Sequence, residues 1–248
     1  MATRSIAPYA RAARKHLSAA DPVLATIIAK VGPCRIANRP ERFAALARAI
    51  IFQQLAGAAA QAIHNRVVAL YPGKPFPTPA QILATPGEVL RKAGLSAKKA
   101  LYLKDLARQV EDDLLNFHRF GNMDDEAIIA DLTRVNGIGR WTAEMFLMFN
   151  LGRPDILPVG DLGFRNAVMR AYKMRKPPKP KHLVKIAESW RPYRSAAVWY
   201  LWQSSDIILP VAAKKTPARV SRRKPAAQSR RQIRLKATQS QGSKITSP

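Results

Sequence analysis

Leu132-Thr-Arg-Val-Asn-Gly-Ile-Gly-Arg-Trp-Thr-Ala-Glu-Met-Phe-Leu-Met-Phe149 is the stretch whose reading decides the fold. Apolar residues recur at helical spacing on both sides of Asn136-Gly-Ile-Gly139, so two amphipathic helices meet at a tight turn. Glycine suits such a turn because it reaches positive φ and lets another backbone come close. Around Gly137, Ile138, Gly139, Arg140 and Thr142 the second helix begins with free N–H groups. Together with the positive end of the helix dipole, these can hold a phosphate. Ile138 is placed to pin the turn to a core. An ordinary corner between two helices would need no more than this, so the turn alone does not decide function.

Outward from the turn, residues 1–210 read as helix after helix, and no useful run of period-two alternation appears. Asp21 followed by Pro22 marks a capped start. The segment from Glu41 to about Leu70 is helical in spacing, although Gln53 and Gln54 interrupt its apolar run and suggest a break. Tyr71-Pro-Gly-Lys-Pro-Phe-Pro-Thr-Pro79 must be a connection. Ser96 caps a longer helix expected to run to about Arg119, with Gly121 as its stop. Asp161 opens another helix, expected to end near Pro177-Pro178, and a final pair covers about 180–189 and 192–206. The expected fold class is all-α.

The chain has 248 residues, with 42 Lys+Arg against 16 Asp+Glu, a net charge of +26. So large an excess calls for a polyanionic partner, either nucleic acid or an anionic membrane. No apolar run approaches the roughly 20 residues that span a bilayer, and the first residues lack a secretory core, so the expected setting is intracellular with no membrane partner. One cysteine, Cys34, and 4 His leave little scope for a disulfide, a cysteine zinc site or an iron–sulfur cluster. Residues 211–248 carry eleven Lys/Arg from Lys214 to Lys244 and no acid. That composition is expected to stay disordered, adding salt-sensitive affinity for a polyanion. A solubilising tail or a false extension of the reading frame would have the same composition.

About twenty residues after the turn comes Pro158-Val-Gly-Asp-Leu-Gly-Phe-Arg-Asn-Ala-Val168. Locally Asp161 is a helix N-cap, worth about 1 kcal/mol. An aromatic cluster follows in Trp190-Arg-Pro-Tyr-Arg-Ser-Ala-Ala-Val-Trp-Tyr-Leu-Trp202.

The turn, with Leu132, Val135 and Trp141-Thr-Ala143 around it, resembles the helix–hairpin–helix of DNA repair proteins. From about residue 40 to 205, the order GIGRWTA, PVGDLGFRNAV, WRPYRSAAVWYLW resembles the helix–hairpin–helix (HhH-GPD) DNA glycosylase superfamily. Within it the chain is most similar to the 3-methyladenine DNA glycosylase II family. With about 40 residues before the core, it looks like a compact form without that family's N-terminal β-rich domain.

The resemblance implies a two-lobed helical fold with a cleft. It also implies a monomeric binder of damaged double-stranded DNA that flips out an alkylated base and hydrolyses its glycosidic bond. Asp161 becomes the catalytic carboxylate, stabilising oxocarbenium character and orienting or deprotonating water. Bifunctional relatives carry a nucleophilic Lys where Trp141 stands, and often a four-cysteine cluster, so this chain reads as monofunctional. Trp141 and Trp202 become walls of the base pocket, with Met145 where the family has a tyrosine. Trp190 and Trp199 read as core. Gln54, with Gln53 beside it, becomes the wedge that fills the gap left by the flipped base; a capping or core role is the alternative. No cofactor is required, although the family often holds a monovalent cation, Na+ or K+, on hairpin carbonyls matching Thr133, Val135 and Ile138. An architectural DNA-binding protein without chemistry and a glycosylase for another lesion class are the competing readings.

Overall fold

The structure is a computed structural model and describes residues 5–208. The basic stretch 211–248 lies outside the described residues. Among the described residues twelve α-helices carry the fold, α1 (Ala10–Ala20), α2 (Pro22–Val31), α3 (Arg42–Phe52), α4 (Gly57–Ala69), α5 (Pro79–Ala84), α6 (Gly87–Lys92), α7 (Ala97–Glu111), α8 (Asp125–Thr133), α9 (Arg140–Phe146), α10 (Leu162–Ala171), α11 (Pro180–Ile186) and α12 (Arg194–Ile208). The one exception to the helical expectation among the described residues is a two-residue antiparallel pairing, Ser5–Ile6 with Ala37–Asn38. It is too short to form a layer.

Several starts follow from capping chemistry. Asp21 Oδ1 accepts from the N–H groups of Val23 and Leu24, with Pro22 at the first helical position. Thr78 and Gln81 form a reciprocal capping box at the head of α5. Ser96 and Asp124 cap α7 and α8 one way only, each side chain accepting the backbone N–H three residues on.

Three stretches differ from expectation. Residues 10–20 form α1, which the sequence reading missed because its inward positions are the small Ala10 and Ala13 with one Leu17. The helix begun at Ser96 ends at Glu111 rather than near Arg119. Asp112 and Asp113 follow, acids at the negative end of a helix dipole, and Asp113 turns the chain at φ 56°. α10 likewise ends at Ala171, before Pro177-Pro178, with Lys173 at φ 53°. The segment 41–70, by contrast, is two helices broken at Gln53–Ala56, where the two glutamines suggest a break.

Two groups of helices share the core. α2 packs on α1 and α12, and α12 packs on α10, so the first and last parts of the chain form one lobe. α3 packs on α4, α7 and α9, with α5 and α6 on α7 and α8 on α9, which makes the other. Trp190, Tyr200, Phe120 and Phe164 are the bulkiest fully buried side chains. Trp190 is thus core, as expected, and Trp199 packs on Tyr200 at its edge.

Candidate active site

Four segments meet where the lobes join. The hairpin between α8 and α9 is anchored by Ile138, 3% exposed. Gly137 has φ +85°, and a Cβ there would lie 2.3 Å from the Tyr102 ring, so it needs both the freedom and the size of glycine. Gly139, by contrast, has ordinary φ and open space around its Cβ position, so nothing within the free protein demands glycine there. Gly137→Ala is expected to destabilise the hairpin by about 1–3 kcal/mol. A thermal melt and a duplex-binding titration would register it, and an unshifted midpoint would contradict the fit.

The Arg140 guanidinium is committed elsewhere. It pairs with Glu126 through both terminal nitrogens, at 2.9 and 2.5 Å, and its Nε donates to Glu144 at 3.0 Å. Its backbone N–H keeps the phosphate role expected of it, while its side chain is held toward two carboxylates. Glu144 is 4% exposed, and burial pushes its carboxyl up, opposed by Arg140. The Arg140–Glu144 spacing is an ordinary helical pair, but nothing in sequence linked Glu126 to it. Thr142 is buried in the first turn of α9.

Asp161 sits at the head of α10. Its Oδ1 accepts the Phe164 N–H, which makes it the N-cap that local sequence suggested. Its Oδ2 accepts the Trp141 indole N–H at 2.6 Å. The cap and the site reading therefore use different oxygens of one carboxylate. Trp141 is 53% exposed and stands at the rim of a cavity of about 360 Å³. This size suits a small ligand.

The cavity is lined by α3 (Ala45, Phe52), by Gln53 and Gln54, and by Met145 and Phe149. One face of Phe52 is covered by the Arg48 guanidinium, 3.6 Å from the ring centre. Trp202 does not line the cavity itself. It stacks on Phe149 at 6.1 Å, and its Nε1 lies 3.9 Å from where a Cβ on Gly163 would sit, on the Asp161 side. A wider depression of about 450 Å³ over Glu88, Arg91, Lys92 and Ser96 is far more open and has no aromatic wall.

The two glutamines divide. Gln53 donates its amide to the Gly137 carbonyl at 2.7 Å, which ties it to the hairpin. Gln54 is exposed at the cavity mouth with φ 56°.

The Val135 carbonyl accepts the Ile138 N–H at 3.0 Å, and no backbone hydrogen bond of the turn ends on the Thr133 or Ile138 carbonyl. Three neutral carbonyls with free lone pairs fit a monovalent cation better than a multivalent one. Among the described residues no group of three or more His, Cys, Asp or Glu could hold a metal ion, and no helix is long and apolar enough to cross a membrane.

Residues 47–192 match the family model described as HhH-GPD superfamily base excision DNA repair protein. DNA-3-methyladenine glycosylase 1 of Schizosaccharomyces pombe is 37% identical over 207 residues, covering 81% of this chain and 91% of that protein. Among solved structures, the Schizosaccharomyces pombe 3-methyladenine DNA glycosylase in complex with abasic DNA superposes with a TM-score of 0.70 at 35% identity, covering 78% of this chain and 96% of that one. The DNA-3-methyladenine glycosidase of Bacillus halodurans gives 0.73 at 35% identity, covering 79% and 90%. The chain belongs to the HhH-GPD superfamily of base excision DNA repair proteins.

Proposed function

We propose that the protein is a monofunctional DNA glycosylase that hydrolyses the N-glycosidic bond of alkylated, 3-methyladenine-type bases in double-stranded DNA. The observation that carries this reading is the Trp141–Asp161 hydrogen bond at the rim of an aromatic-lined cavity. Family membership and the names of the relatives support it.

In this reading the hairpin's backbone N–H groups grip a phosphate beside the lesion. Gln54 enters the stack as the base leaves it, and the base enters the cavity against Trp141 and Met145, with Trp202 behind Phe149. Asp161 faces C1′. As the C1′–N bond breaks, the base departs with the electron pair and the sugar becomes oxocarbenium-like, which the carboxylate stabilises. Water then bonds to C1′ and gives its proton to Asp161, leaving an abasic site and free base.

An alkylated purine is cationic or electron-poor and needs no strong acid to leave. Its charge also draws it to aromatic faces, by up to ~2 kcal/mol when desolvated. Trp141 has no amine, so no Schiff base forms at the position where bifunctional relatives carry lysine. A Na+ or K+ on the carbonyls of Thr133, Val135 and Ile138 would supply fixed positive charge behind the phosphate grip. The protein acts as a monomer inside the cell, where its DNA substrate is.

The test is a base-release profile on duplexes carrying 3-methyladenine, 7-methylguanine, hypoxanthine or ethenoadenine. Release of methylated purines with no borohydride-trapped adduct is expected. A trapped adduct would refute the monofunctional mechanism, and silence on every lesion would refute the enzyme.

A further inference from the structure

The turn between α3 and α4 is poorly held by its own backbone. Gln53 N to Ile50 O and Leu55 N to Phe52 O are both long at 3.4 Å, yet Gln54 between them is kept at φ 56°, a conformation side-chain-bearing residues rarely adopt. The short bonds come from outside. Lys99 Nζ donates to the carbonyls of Ile51 at 2.8 Å and Gln53 at 2.6 Å. No carboxylate lies within ion-pair distance of Lys99 among the described residues.

For α7 this lysine is misplaced. It lies in the first turn, where the positive end of the dipole disfavours a cation, and burial pushes its ammonium pKa down. Tyr102 and Asp105 continue the same helical stripe at intervals of three. The Tyr102 ring backs Gly137, and Asp105 accepts from both the backbone N–H and the side-chain amide of Asn136, at 2.8 Å each. One face of α7 thus touches the α3–α4 turn and the hairpin, and the Gln53 amide closes the circuit between them.

We infer that Lys99 is a positioning residue for base extrusion: its ammonium caps the end of α3, holds Gln54 in its projecting conformation, and fixes that turn in register with the hairpin. The inference rests on the reading of Gln54 as the wedge. It does not place Lys99 in contact with the base or the sugar.

The test compares single-turnover release of 7-methylguanine from a fully paired duplex and from the same duplex with an abasic site opposite the lesion, where there is little stacking to replace. Lys99→Met is expected to slow the paired substrate by about tenfold or more, the scale of losing charge-assisted hydrogen bonds. The unpaired substrate should be cut near the wild-type rate, and Lys99→Arg should recover most of the loss. In a Gln54→Ala background, Lys99→Met should add nothing further. Should Lys99→Met not fold, Lys99→Gln is read in the same way. Equal slowing on both substrates, no slowing on either, or a full further loss on top of Gln54→Ala overturns the role of Lys99 alone. A Gln54→Ala variant that cuts the paired duplex at the wild-type rate overturns the wedge reading, and the inference with it.

Discussion

Asp161→Asn is expected to lower single-turnover release of alkylated bases by roughly 10²–10⁴-fold, the range for removing a positioned acid–base or charge-stabilising group. Duplex affinity should stay near that of the wild type. The substitution separates the two tasks of this side chain. Asparagine is a good N-cap, so its Oδ1 still accepts the Phe164 N–H and α10 keeps its start. The other end changes from an anionic acceptor into an NH₂ group facing the Trp141 indole N–H, donor against donor. In the proposed mechanism no negative charge then faces C1′. A non-catalytic architectural protein would be indifferent to the change. Base release by the Asn variant at the wild-type rate, with an unshifted melting temperature, would remove Asp161 from the mechanism.

The double use of Asp161 shows what a sequence can and cannot carry. Its cap role is local, since the acceptor and the Phe164 N–H are three residues apart and short-range rules find such pairs. Its second partner is twenty residues away, across the lobe junction, and no spacing rule connects them. Arg140 illustrates the same limit. A cation at the head of a phosphate-type turn invites a phosphate role, but Glu126, 14 residues earlier, holds its side chain. The glutamines were legible as an interruption of an apolar helix. Which one faced the hairpin and which the solvent depended on one strained φ at Gln54. Gly137 was readable as glycine by necessity, whereas Gly139 has no internal reason to be glycine and would find one only in a partner brought close. α1 escaped notice because alanines bury too little to leave a clear stripe.

The largest stability effect is expected at Asp21, distant in sequence from every site residue. Asp21 Oδ1 caps α2 through Val23 and Leu24, while Oδ2 accepts from Tyr172 Oη at 2.5 Å and from the fully buried Trp190 Nε1 at 3.0 Å. One carboxylate thereby joins α2 to the end of α10 and the aromatic turn before α12, the closure of the lobe that presents Asp161. Asp21→Ala removes the cap, about 1 kcal/mol, strands the buried Trp190 indole N–H at about 1–3 kcal/mol, and takes the acceptor from the half-buried Tyr172 hydroxyl. A loss of about 3–5 kcal/mol is expected, a large share of the ~5–15 kcal/mol typical of a folded domain. Asp21→Asn should cost less, because it retains the cap and the tyrosine hydroxyl can turn to accept, leaving mainly the Trp190 donor unpaired. Burial alone would push the Asp21 carboxyl up, but its hydrogen bonds with Tyr172, Trp190, Leu24 and Val23 outweigh this and hold it below the ordinary 3.8. A depressed folded-state pKa means that the unfolded chain takes up the proton first on acidification. This stabilisation is therefore complete above about pH 4 and is lost as pH falls through the lower folded value. Denaturant melts of the wild type and Asp21→Asn at descending pH should converge below pH 4; a constant gap between them would show that the carboxylate's charge has no part in holding the lobe closed.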